Sequence, residues 1–333
     1  MKRLVGLLAL CCAPLVRAEE PISFSGFVDL AAIFNANQPA SHENFVPGTG
    51  TTGKRANEWM LNLAQVQWTR LTSAQQPIGF TLSLVAGDGS EIVHAGEPDG
   101  GDAFRHIYQA SLAYRLPSGV LLEGGIFPSH IGLEGFYSKD NWNYTRSWLG
   151  ELSPYYQAGV KAGYAFNEHW SGQLHVLNGW QIIHDNDDGK AVGTQLAYAN
   201  GPLSASFNTY VDSDRKFGDV VVTHRISPRL QLGASVDLGR DRDANWRGGG
   251  AYVRYAFGDR HALAARAEQF RDPDAGISGA SQTLREVTLT YELRPHEHLI
   301  LKFETRYDRS TARVFADDER TQFLALAGAV ATF

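Results

Sequence analysis

Cysteine is nearly missing from this chain: Cys11 and Cys12 are the only two in 333 residues, and both lie near the start. A mature chain that begins after position 18 has no thiol, which excludes a disulfide framework and a cysteine metal site. Long apolar runs are missing too. None of 18 or more residues follows position 18, and mean hydropathy is −0.25. That excludes a bundle of membrane-spanning helices. A membrane β-barrel survives the test, because only alternate residues of its strands need be apolar. Basic charge is also scarce. Removing Lys2, Arg3 and Arg17 with the leader lowers the basic count from 30 to 27 against 36 acidic residues, a net charge of −9. Sequence-independent nucleic-acid binding needs a basic footprint, so nucleic acid is not an expected partner.

The leader itself is informative. Lys2 and Arg3 precede an apolar stretch at 4–15, and Val16-Arg17-Ala18 places small residues at the −3 and −1 positions before Glu19. This pattern predicts a cleaved secretory signal at 1–18 and a mature domain at 19–333. A lipid-modified cysteine is the competing reading, but Leu10 stands where a small residue is needed before Cys11.

The remainder alternates with a period of two. At 230–238, Leu230, Leu232, Ala234, Val236 and Leu238 share one face, with Gln231, Gly233, Ser235 and Asp237 on the other. The same holds at 250–257, 286–293, 203–211 and 170–176. Such strands have two faces in different solvents. Segments near ten residues match a tilted transmembrane strand better than a soluble one, which averages about five or six. The polar phase carries full charges: Lys161, Arg254, Glu292, Lys302, Glu304 and Arg306. A dry core rejects unpaired charge, whereas a water-filled lumen accepts it.

Turn formers recur at 116–119, 167–168, 200–202, 227–229, 258–260 and 294–296. Between them lie longer polar stretches at 36–54, 87–103, 128–154, 179–190, 239–247, 272–282 and 308–319. Short turns at one end and long loops at the other are the asymmetry of an outer-membrane barrel, short turns periplasmic and long loops external. Tyr114, Tyr164, Phe166, Tyr198, Phe257 and Tyr291 sit beside the short turns, as an interfacial girdle requires. The count is about sixteen antiparallel strands, with 14 and 18 as alternatives, both termini at the periplasmic end. At that size side chains do not fill the interior, and an aqueous channel is expected. The last strand, 321–333, ends on Phe333 in the phase of Phe323, which resembles the signal read by the barrel-assembly machinery.

Several segments resemble the putative β-barrel porin-2 (OmpL-like) family. They are Gly125-Ile126-Phe127, Asn141-Trp142-Asn143-Tyr144-Thr145-Arg146-Ser147, Pro154-Tyr155-Tyr156-Gln157-Ala158-Gly159-Val160 and Val176-Leu177-Asn178-Gly179-Trp180 followed by Asp185-Asn186, with 24–29 and the last strand. The resemblance implies a single outer-membrane barrel of porin type, with no catalytic residues and no assigned substrate. The expected function is therefore a passive channel for small hydrophilic solutes or ions, without cofactor, in contact with outer-membrane lipid. A homo-oligomer is left open. The alternatives are a sugar-type channel using Tyr210 and Tyr252, a non-conducting adhesin or anchor, and a secreted soluble β protein.

The stretch at 128–154 is the third external loop on this count. If it folds inward, Glu134 and Asp140 are expected to face Lys161, Arg254, Lys302 and Arg306 across a constriction, making a transverse field. The bland reading has the loop capping the barrel from outside. Other clusters carry less. Asp185-Asn186-Asp187-Asp188-Gly189 breaks the EF-hand spacing, and a solvated loop is the simpler reading. His296-Glu297-His298 sits in a turn without a third zinc ligand, and Gly248-Gly249-Gly250 opens a strand, so neither a metal nor a phosphate site is expected. His175 and His224 lack a Ser or Asp partner by spacing.

Overall fold

The computed structural model describes residues 21–46, 49–97, 104–185 and 189–333. The leader at 1–18 and Asn186 to Asp188 of the acidic loop lie outside them. Sixteen strands follow in order. They are β1 Ser23–Asn35, β2 Glu58–Arg70, β3 Ile78–Ala86, β4 Ile107–Arg115, β5 Leu121–Pro128, β6 Tyr156–Ala165, β7 Trp170–Leu177 and β8 Ala191–Asn200. The second half is β9 Leu203–Val211, β10 Arg215–Arg225, β11 Leu230–Asp241, β12 Ala244–Ala256, β13 His261–Asp272, β14 Gln282–His296, β15 Leu299–Ser310 and β16 Thr321–Thr332. Two short helices, α1 Asp88–His94 and α2 Trp148–Glu151, lie in the second and third long loops.

Each strand pairs antiparallel with its sequence neighbours, and β1 pairs with β16, so the sheet closes. Closure leaves no open edge, the condition for a sheet in hydrocarbon. At the seam Phe333 exchanges both backbone hydrogen bonds with Gly26, at 3.1 and 3.0 Å. Its ring packs on Phe24 at 5.7 Å on the outer face.

Alternation maps onto this wall inside out. On β11, Val236 is 51% exposed and points outward, while its neighbour Asp237 is 2% exposed and points inward. Leu232 and Leu238 follow Val236; Ser235 follows Asp237. Burying apolar area is favourable by roughly 25 cal/mol per Å², so a wall of outward Val, Leu and Phe is stable only against acyl chains. Tyr164 and Phe166, Trp170 and Tyr198, and Phe257 and Tyr291 pair as rings at the short-turn end, where a lipid interface places them.

Three expectations change at strand ends. The polar stretch 239–247 is not a loop. β11 runs to Asp241, β12 begins at Ala244, and Arg242-Asp243 make the turn. Likewise the sequence pattern predicts only a short strand at 220–225, whereas β10 begins at Arg215 and runs to Arg225. The reason is the same in both: outside the bilayer the outward phase need not be apolar, yet backbone pairing continues. Pro295, expected in a turn, lies inside β14 at a register shift between Leu293 and His296. An irregularity tolerates a residue without an N–H.

Candidate pore and the loop inside it

The connection from β5 to β6, residues 129–155, does not cap the barrel. It turns into the lumen. Gly125 and Gly159 face each other across the β5–β6 pair with φ of +125° and +152°. A Cβ on either would meet the neighbouring strand's carbonyl, at 2.2 Å on Ala110 and 2.1 Å on Val176. These glycines let both strands bend where the chain leaves the wall.

Inside, the loop is tied to the wall on several sides. Near its start His130 spans Gln157 and the Thr209 carbonyl, each at 3.0 Å, and Gly132 donates to Asp219 of β10 at 3.2 Å. On the opposite side Tyr137 bonds Ser83 of β3 at 3.0 Å, and Phe136 stacks on Tyr108 of β4 at 4.9 Å. The segment Asn141 to Ser147 lies on β13–β15. Asn143 donates to Thr290 at 2.7 Å, Tyr144 and Thr145 donate their amides to Glu304 at 2.6 and 3.0 Å, and Trp148 donates Nε1 to Asp308 at 2.9 Å. Asn143, Tyr144 and Thr145, within one of the segments that carried the family resemblance, are thus among the residues that clamp the loop to the wall.

Charge holds this packing together. The buried Arg266 guanidinium reaches Glu286 at 2.6 Å, Glu134 at 2.7 Å and the Thr145 carbonyl at 2.6 Å. Arg306 pairs with Asp308 at 2.8 Å and donates to the Arg146 carbonyl at 2.5 Å. Lys302 donates to the carbonyls of Ser138 and Asn141 at 2.8 and 2.5 Å. Arg146 pairs with Glu151 at 3.2 Å with both side chains fully buried. Planar, multidonor guanidinium groups suit such buried networks.

The six candidate constriction residues are distributed through this arrangement without pairing among themselves. Glu134 meets Arg266 and the Ser147 amide, the latter at 2.8 Å. Asp140 is exposed and takes its own neighbour, Lys139, at 2.8 Å. Lys161 is paired with Glu123 at 3.0 Å, and Arg254 with Glu292 at 2.9 Å. Lys302 and Arg306 are buried beneath the loop and hold its carbonyls. Arg266, Glu268 and Glu286, absent from that set, carry the densest part of the network. For Arg266 and Glu268 the signal is the inward row Ala264, Arg266, Glu268, Phe270 of β13, and Glu286 lies on the inward phase of β14. Tyr210 is buried beneath Trp180 at 4.8 Å, whereas Tyr252, bonded to Ser147 at 3.2 Å, lines the cavity below the loop.

Below the loop, toward the short turns, a cavity of about 380 Å³ remains. Leu133, Glu134, Asp140 and Trp142 form its roof, and Thr223 and Gln231 its wall. Much of the remaining inward face is amide and hydroxyl. Gln173 bonds Gln195 at 2.8 Å, Gln65 bonds Ser83 at 2.9 Å and Gln67 bonds Thr69 at 3.0 Å.

A closed sixteen-stranded antiparallel barrel, apolar outside, polar inside and with its third long loop folded within, defines a porin-type outer-membrane channel. Residues 21–333 match the family described as putative beta-barrel porin-2, OmpL-like, and the chain belongs to that family. The fold is similar to the outer membrane channel DcaP of Acinetobacter baumannii, at 10% identity and TM-score 0.66 over 94% of this chain and 97% of that one. It is similar to OmpF of Salmonella typhi, at 12% identity and TM-score 0.65 over 94% and 97%. The anion-selective porin from Comamonas acidovorans gives 10% identity and TM-score 0.63 over 94% and 99%. Comparison with curated proteins finds no match.

Proposed function

We propose that the channel passes small, neutral hydrophilic solutes by passive diffusion, with the third loop setting the size limit. The observation that carries this reading is the polar lining below the loop. Two of its cations are locally cancelled, Lys161 by Glu123 and Arg254 by Glu292, and amides and hydroxyls occupy much of the rest. Such a surface replaces a solute's water without imposing a strong field. The mature domain is 19–333 after a signal at 1–18, with the short turns periplasmic. Phe333 at the β1–β16 seam is the contact offered to the assembly machinery, and the outward apolar phase meets outer-membrane lipid. A homo-oligomer is compatible with this wall. No cofactor or catalytic group takes part.

Liposome swelling with sugars of graded size tests the reading. The expected result is uptake of monosaccharides with a sharp cutoff above them. Absence of uptake at every size favours the second reading, a non-conducting anchor, for which the loop's contacts with three sides of the lumen speak. At residue level Asp140, exposed in the roof of the cavity, is proposed as the constriction carboxylate. Asp140→Ala is expected to lower the cation-to-anion permeability ratio in planar bilayers by about twofold, the scale of one screened charge at a pore wall. An unchanged reversal potential removes Asp140 from the constriction.

A further inference from the structure

Buried carboxylates in the barrel follow a rule with two exceptions. Among the described residues, each of the others is met by a cation or by donors on both oxygens. Glu286 and Glu134 have Arg266, Asp308 has Arg306, Glu292 has Arg254 and Glu151 has Arg146. Asp29, without an ion pair, takes Tyr144 on one oxygen and Asn62 on the other, both at 2.8 Å. Glu304 and Asp272 are likewise bonded on both oxygens.

Asp219 of β10 and Asp237 of β11 break the rule. They are directly opposed in the strand register and point inward, 1% and 2% exposed. Asp219 receives Gly132 and Asn208 on Oδ2, at 3.2 and 3.1 Å, and its Oδ1 is buried without any hydrogen-bond partner. Asp237 receives only the Ser235 hydroxyl, at 3.2 Å. No Lys, Arg or His among the described residues makes an ion pair with either. Two adjacent carboxylates withdrawn from water repel each other and lose their hydration, which is strongly unfavourable without a counter-charge.

We infer that Asp219 and Asp237 bind a divalent hard cation between β10 and β11, at the foot of the inserted loop. The unpartnered Oδ1 of Asp219, the Asp237 carboxylate and the Ser235 hydroxyl are oxygen donors, the class that calcium takes in irregular sets, whereas magnesium demands a near-ideal octahedron. Two negative charges match one divalent ion. Because Asp219 also accepts the Gly132 amide, the ion would tie the start of the loop to the wall. This is a property of the folded barrel and does not rest on what the channel conducts.

Equilibrium dialysis of the purified full barrel in detergent against calcium at neutral pH tests it. The wild type is expected to bind at this site, and Asp237→Asn to bind there about tenfold more weakly or less, the scale on which ligand-sphere changes act. Calcium is also expected to raise the temperature at which the wild-type barrel loses its compact gel migration, and to leave Asp237→Asn unmoved, since a ligand stabilises only the state that binds it. Should Asp237→Asn fail to fold, Ser235→Ala keeps both carboxylates and is expected to weaken binding while preserving the barrel. Absence of a calcium-dependent shift in the wild type overturns the site. So does calcium binding by the folded variants equal to that of the wild type; the carboxylates then carry a proton instead.

Discussion

Arg266→Ala is expected to destabilise the folded barrel by about 3–5 kcal/mol, the cost of stranding buried charge when one partner of an ion pair is removed. The side chain is wholly buried and serves three acceptors at once: Glu286, Glu134 and the Thr145 carbonyl. Its loss leaves two carboxylates in a dry site and unfastens the loop from β13. Arg242→Ala is the control. That guanidinium pairs with Asp214 at 2.8 Å, but both side chains are at least half exposed, and exposed pairs contribute at most about 1 kcal/mol. Denaturant unfolding of the refolded proteins in detergent checks the contrast. Equal effects from the two variants would mean that the network around Arg266 is solvated.

Excising residues 133–150 and joining the ends with a short Gly-Ser linker is expected to raise single-channel conductance several-fold. The loop touches β3 and β4 through Tyr137 and Phe136, β10 through Gly132, and β13–β15 through Glu134, Asn143 and Thr145. A segment anchored on opposite walls partitions the lumen, and its removal returns the cross-section to water. The barrel itself is held by sixteen ladders of backbone bonds that do not involve the loop. The charges left behind on β13–β15 then meet water, which solvates them. Planar-bilayer recording makes the measurement. Conductance equal to the wild type would place the current path outside the loop's reach.

Much of this architecture is legible in the sequence because a bilayer acts on each strand separately. Leu232, Val236 and Leu238 must be apolar whatever the rest of the chain does, so alternation reports the strand, its phase and its outward face. That constraint ends at the water boundary. Residues 239–241 and 244–247 carry Arg240, Asn245 and Arg247 on the outward phase and are still paired, and nothing local distinguishes them from a loop. The interior is harder for another reason. Lys302 and Arg306 occupy inward positions, and the pattern is the same whether such a group meets water or the carbonyls of Asn141 and Arg146. Burial there depends on a loop more than 150 residues away in the chain, at separations of 161 and 160 residues. Arg266 escapes notice because Ala262, Ala264, Ala265 and Ala267 blur the two faces of β13. The loop's inward course is written only in the match between its donors and acceptors and those of the wall.

The most direct measurement uses residues 19–333, which contain no cysteine, as a background for single-cysteine spin labels at each position from 231 to 238 in lipid vesicles. Oxygen, which partitions into hydrocarbon, should relax labels at 232, 234, 236 and 238 strongly. Labels at 231, 233, 235 and 237 should respond weakly, giving a period of two. Uniform accessibility to a polar relaxant along the whole segment would mean that no face of β11 touches lipid, and would contradict the barrel's placement in a membrane.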